Sequence, residues 1–197
     1  MSQIAPQLAG PWPDGVALTR REVDAYLADV GSGALDGQPS ACEGWTVRDV
    51  TAHLAATFTR FDAMLQRGRT GDFAPPFAAD ELDVENQRAV RDFGGDPARV
   101  LGDSATSFLD AVDDPDEPIP HQLGTLPAAL QVMFGLMDTA MHHDDVLLST
   151  GRRYRPSDDA VAAMAVAAER LFQLSASTDD PWPLLVAGSG RRALPRT

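Results

Sequence analysis

Lysine is missing from this chain: all 16 basic residues are arginine. Without a lysine amine there is no Schiff-base nucleophile and no phosphate-loop lysine, which excludes pyridoxal enzymes, class I aldolases and P-loop nucleotide hydrolases. Cysteine is nearly missing too. Cys42 stands alone, so no internal disulfide can form, and a reducing compartment is the economical expectation. Positive charge is scarce, 16 basic against 29 acidic side chains, and the net −13 repels nucleic-acid phosphates and anionic lipid head groups alike. No apolar run approaches the roughly 18 residues of a membrane span. The opening MSQIAPQLAG carries neither a basic flank nor an apolar signal core. A cytoplasmic protein with no nucleic-acid or membrane partner is expected. What is present, 197 residues of which 44% are hydrophobic and 23% charged, suits one domain spanning 1–197 with its core at about 19–174.

Turn and cap residues divide the chain into helical segments, and no alternating strand pattern stands out. The first helix is expected from Thr19 to Val30, with Thr19 and Glu22 as a capping box and Val23, Tyr26, Leu27 and Val30 as its apolar stripe. Thr46 caps a second helix reaching about Gln66, with Asp49 at the box position. Its stripe of Val47, Val50, Leu54, Phe58, Phe61 and Leu65 recurs at steps of three and four. The Gly- and Pro-rich stretch 70–79 reads as a loop. A third, kinked element follows, broken at Gly94 and Gly95 and restarted by the cap Asp96 with Pro97 at the first helical position. The run DDPDEPIPH, Asp113 to His121, reads as an exposed connector. Thr125 and Pro127 open a fourth long helix reaching about Leu148; a shorter one from Ser157 to Leu174 and an irregular tail, 175–197, complete the chain. The fold class is all-α, a four-helix bundle with one appended helix.

The fourth helix is apolar almost all round between Leu126 and Met137, and charged residues are then set into it. At 100° per residue, Asp138, His142 and Asp145 share one face. A carboxylate in apolar surroundings demands a neutralising partner. An aspartate and a histidine four apart can offer two adjacent ligands to a divalent metal, and a third would come from another helix. His53, at the edge of the second helix's stripe and aligned with Thr57, Arg60 and Met64, is the candidate, whereas His121 in the connector is the weakest. Such pairs also arise as plain hydrogen-bonded or solvated faces. His143 and Asp144 read as solvated, Cys42 as packing, and Trp45, Phe58 and Phe61 as core. Asp145 either orients the His142 ring or faces water. Arg60 either binds a carboxylate of substrate or cosubstrate or sits in a surface ion pair.

The segment ACEGWTVRDVTAHL, Ala41 to Leu54, resembles the Cys-Pro-Gly-Trp-Thr-Val-Arg-Asp then His-Leu signature of the mycothiol-dependent maleylpyruvate isomerase N-terminal family, a branch of the DinB-like metalloproteins. MDTAMHHDDV resembles its second motif, Glu-x-x-x-His-x-x-Asp, at Asp138, His142 and Asp145, and the ending DPWPLLVAGSGR is similar to endings of small members. The resemblance implies a DinB-like four-helix bundle whose second and fourth helices bind a divalent metal, commonly zinc, through His53, Asp138 and His142. It also implies mycothiol as cosubstrate, delivered as thiolate to a small electrophile. Glu43 replaces the family's proline, and Asp138 its glutamate. Being one methylene shorter, Asp138 requires a closer approach of the helices or a bridging water. The length leaves no room for the additional C-terminal domain of the true isomerases.

Three functions follow as expectations. The first is a metal-dependent transferase or isomerase acting with mycothiol on a small electrophile. The second is a non-catalytic metal- or small-ligand-binding bundle with a degenerate site. The third is metal-free proton transfer by Asp138 and His142, which leaves His53 without a task. A homodimer through exposed helix faces stays open.

Overall fold

The computed structural model describes residues 12–172 and 180–189. Seven helices and one hairpin are present there: α1 (Val16–Val30), α2 (Val47–Arg69), α3 (Leu82–Arg91), α4 (Pro97–Ala111), β1 (Pro118–His121), β2 (Gly124–Pro127), α5 (Ala128–Ser149), α6 (Asp158–Phe172) and α7 (Trp182–Gly188). A short 3-10 turn, Ala79–Glu81, leads into α3. The bundle is formed by α1, α4, α2 and α5, each packed on its neighbours in that cyclic order; α3 leans on α2, α6 on α5 and α7 on α6. The all-α bundle expected from sequence is therefore the fold.

Helix α2 forms where its signals place it. Thr46 and Asp49 make the reciprocal capping box, with the Asp49 amide donating to Thr46 Oγ1 at 3.2 Å and the Thr46 amide to Asp49 Oδ2 at 2.9 Å. Its stripe meets α4 in an aromatic cluster of Phe58, Phe61 and Phe108, whose ring centroids lie 5.6–6.4 Å apart. A second core, with Leu130, Met133, Leu136, Met164 and Trp182, joins α5 to α6 and α7. Gly135 brings α5 onto α2, because a Cβ there would stand 3.1 Å from two atoms of the Phe58 ring. That close approach lies one turn before the acidic residue of the site.

Four expectations are corrected. Helix α1 begins at Val16 rather than Thr19: Thr19 lies inside it, its amide bonded to Gly15 O and its hydroxyl donating to Val132 O across the bundle. Glu22 is buried and takes the Tyr154 hydroxyl instead of closing a box. The connector is not wholly exposed, and strands do occur: β1 pairs antiparallel with β2, and Ile119 lies opposite Leu126 with both side chains buried. Thr125 and Leu126 therefore belong to β2, and α5 starts only at Ala128. Prolines survive in this ribbon because a two-stranded sheet leaves outward positions with no ladder bond to donate. Within the expected irregular tail, 182–188 is helix α7; 175–179 and 190–197 lie outside the described residues.

His143 and Asp144 are the fourth correction, being buried rather than solvated. Helix α1 and the returning segment 152–156 cover them. His143 Nε2 meets Asp29 Oδ2 at 3.0 Å and stacks on Tyr154 at 3.7 Å between centroids. Asp144 receives a two-pronged Arg153 guanidinium at 2.8 and 2.9 Å and the Tyr154 amide at 2.9 Å. No described helix is long and apolar enough to cross a membrane.

Candidate metal centre

Helices α2 and α5 carry His53, Asp138 and His142 to one point. His53 Nε2 lies 3.2 Å from Asp138 Oδ2, His142 Nε2 lies 3.4 Å from Asp138 Oδ1, and the imidazole centroids are 5.0 Å apart. One atom from each of the three falls within 4.8 Å of the others. Both imidazoles are nearly closed off, while the Asp138 side chain keeps 30% exposure and faces a cavity of about 530 Å³. The shorter acid meets His142 one turn along its own helix, and it reaches His53 where Gly135 lets α5 pack closely on α2.

Burial alone would push the Asp138 carboxyl up, but the His53 and His142 rings beside it outweigh that and hold it well below the usual carboxylate range. His142 is the mirror case. Burial opposes its charge, yet hydrogen bonds to Asp138 and Asp145 raise it well above an ordinary histidine. These contacts favour a proton stored on His142. A donor set of two imidazoles and one carboxylate matches what divalent zinc takes. Tetrahedral bonds of about 2.1 Å to nitrogen and oxygen leave donors roughly 3.4 Å apart; here each imidazole meets a different oxygen of Asp138, at 3.2 and 3.4 Å, so an ion shared by all three would draw both rings toward one of those oxygens.

Around this triad the remaining candidates fall into place. Asp145 is buried and does not face water; its Oδ2 meets His142 Nδ1 at 3.1 Å. Cys42, read from sequence as packing, has Sγ 3.3 Å from Asp145 Oδ2 and 3.5 Å from His142 Nδ1. Trp45 is not core but a half-buried wall, its ring 5.3 Å from that of His53 and 6.5 Å from that of His142. Phe58 and Phe61 are core, as expected.

Arg60 lies on the cavity wall, two turns beyond His53, and is no surface ion pair. Its guanidinium stacks over Phe77 at 5.1 Å and reaches Asn86 Oδ1 at 3.3 Å, making no ion pair among the described residues. His121 is buried on the same wall, 5.4 Å from the Phe134 ring and nearly parallel to it. Burial, and secondarily Arg60, lowers its pKa to about 4. Its Nδ1 accepts from the Leu123 amide, which assigns the proton of the neutral ring to Nε2.

Sequence reasoning missed the places of Cys42, Trp45 and His121. The first two precede the α2 cap in a loop whose seat is set by the Ala41 amide bonding to Asp145 O on α5 at 2.9 Å. Belonging to the segment that also carries His53 puts both near α2, but it does not say that the loop lies against α5.

Known proteins bear on this arrangement. A crystal structure of a mycothiol-dependent maleylpyruvate isomerase superposes with a TM-score of 0.58 at 17% identity, covering 83% of this chain and 70% of that one, which shows a shared fold. No curated protein matches the sequence. Residues 16–147 match the family described as the mycothiol maleylpyruvate isomerase N-terminal domain. That stretch contains α1, α2, α4, all but the last two residues of α5, and all three converging side chains, and the chain belongs to this family.

Proposed function

We propose that this protein is a divalent-metal-dependent transferase or isomerase that uses mycothiol as cosubstrate on a small electrophile, with His53, Asp138 and His142 as ligands and zinc as the expected ion. The observation that carries the reading is the convergence of those side chains from two helices at the wall of a cavity large enough for a small molecule. A bound divalent ion would supply the acidity that ionises a coordinated thiol or water at neutral pH, so the protein needs no nucleophile of its own. The family supports mycothiol as the thiol.

The protein's side chains then do the rest. His53 and His142 would hold the ion through Nε2, and Asp145, against His142 Nδ1, would keep that ring's proton on Nδ1 and so fix its tautomer and direction. Trp45 shields the two rings from water on one side. Arg60, fixed by Phe77 and Asn86 and partly stripped of water, binds an anionic group of substrate or cosubstrate. Apolar side chains such as Phe61, Met64, Phe134 and Met141 line the intervening cavity and exclude water from the reacting atoms.

A second reading, a non-catalytic bundle, is favoured by one observation: Asp138 already satisfies both imidazoles by hydrogen bonds. Elemental analysis of the purified protein and of His53→Ala and His142→Ala separates the two. Stoichiometric metal in the parent, lost in both variants, supports the enzyme; under about a tenth of an equivalent in the parent supports the remnant. Turnover with mycothiol and an electrophile panel follows, and activity surviving exhaustive chelation would favour metal-free proton transfer instead.

A further inference from the structure

His142 turns its two ring nitrogens toward different neighbours. Nε2 faces Asp138 and the cavity, while Nδ1 faces Asp145 Oδ2 at 3.1 Å and Cys42 Sγ at 3.5 Å. The Sγ to Oδ2 distance of 3.3 Å closes a second triangle. It brings together a thiol, an imidazole and a carboxylate, and these three also form a candidate donor set within 4.8 Å.

The dimensions suit an ion. Bonds of about 2.3 Å to sulfur and about 2.1 Å to nitrogen or oxygen, at tetrahedral angles, put the donors roughly 3.3–3.6 Å apart. The observed edges need open by only a few tenths of an ångström. Charge suits it as well, since a thiolate and a carboxylate balance a divalent cation, whereas the inner triad offers a single carboxylate. Sulfur makes the outer set the softer of the two and so the better match for a thiophilic ion. Access is separate: neither Cys42 nor Asp145 lines the cavity, and Cys42 is the partly exposed member.

We propose that Cys42, His142 Nδ1 and Asp145 form a second cation site, selective for thiophilic ions such as cadmium, whose occupation excludes the inner ion through the shared imidazole. A neutral imidazole has one lone-pair nitrogen and one N–H. When the outer ion takes Nδ1, the Cys42 proton passes to solvent, and the Nδ1 proton passes to Nε2 where an inner ion has left it, or to solvent where Nε2 already carries its own. Nε2 then donates to Asp138, and the inner triad is one ligand short. The exclusion rests on the metal reading of the inner triad; the outer site does not.

Cadmium titration of the intact protein tests both parts. Cys42 is the only thiol in the chain, so a thiolate-to-cadmium charge-transfer band in the ultraviolet reports the outer site alone. The band is expected in the parent and in His53→Ala, where the inner triad is broken, and its loss is expected in Cys42→Ser and in His142→Ala. Far-ultraviolet circular dichroism checks that each variant is folded. Absence of the band in the parent, or its persistence in folded His142→Ala, overturns the site. In protein preloaded with cobalt, one equivalent of cadmium should bleach the visible cobalt bands in the parent and leave them in Cys42→Ser. Cobalt bands that survive in the parent, or bleach equally in both, overturn the exclusion. A parent that takes up no cobalt removes the inner metal reading and the exclusion together, while the ultraviolet band still decides the outer site.

Discussion

Asp145 holds His142 from behind, and the consequence is measurable. Replacing the buried carboxylate in Asp145→Asn removes the charge that fixes the Nδ1 proton, and partners of this kind typically affect metal affinity 10–100-fold. Competition against a chromophoric chelator should show that loss with the thermal unfolding midpoint little changed. A second expectation comes from His142, whose pKa is raised because Asp138 and Asp145 outweigh its burial. Its proton must leave before Nε2 can bind a cation, so metal binding should release roughly one proton at neutral pH and weaken as pH falls. Calorimetric titration in buffers of different ionisation enthalpy measures that number directly; a value near zero would refute the stored proton. His53, Asp138 and His142 were legible because a helical period relates residues on one helix face and the apolar stripe of α2 points its edge at a neighbour. Cys42 and Trp45 were not, because nothing in an irregular loop's sequence says which helix it will lie against.

Helix-to-helix distance sets whether a short acid can serve this site. Gly135 is the spacer: the Cβ of an alanine would stand 3.1 Å from the Phe58 ring, tighter than ordinary packing allows, in a fully apolar setting beside Phe61. Two effects oppose each other in Gly135→Ala. Helix propensity gains about 1 kcal/mol, whereas overpacking a filled core costs about 1–3 kcal/mol. Packing should win, with a net loss of about 1 kcal/mol in urea unfolding, and metal affinity should fall as Asp138 is drawn back from His53. Unchanged affinity would mean that α2 and α5 need no such close approach. The start of α2 was readable to the residue because its cap, stripe and first turn agree with one another, whereas its end runs to Arg69, past the expected Gln66. The hairpin was not. Pro118, Pro120 and Pro127 argue against a strand, and only the tertiary burial of Ile119 and Leu126 overrides them. The same override hid His143 and Asp144, whose burial depends on α1 and residues 152–156 rather than on their own helix.

Across the whole molecule His121, His142 and His143 divide by what their surroundings do to the proton, and this shapes acid stability. His121 is 5% exposed, and its pKa falls to about 4 through burial and the nearby Arg60. His143 is lowered as well, burial outweighing Asp29, while His142 is raised. A histidine with a depressed folded pKa binds its proton more readily when unfolded, so its contribution is complete above the unfolded value near 6.5 and is lost as pH falls toward the folded value. For His121 the full window runs from about 6.5 to about 4, worth about 3 kcal/mol at 1.36 kcal/mol per unit. His142 adds nothing to this loss, because its proton is already bound in the folded state. The comparison that isolates His121 is His121→Gln, which offers an oxygen to the Leu123 amide in place of Nδ1 and cannot titrate. Urea unfolding at pH 7 and at pH 4.5 should show the parent losing about 2–3 kcal/mol more than the variant over that interval. Parallel losses in the two proteins would mean that the ring is protonated in the fold after all, and that the cavity wall beside Arg60 is wetter than its burial indicates.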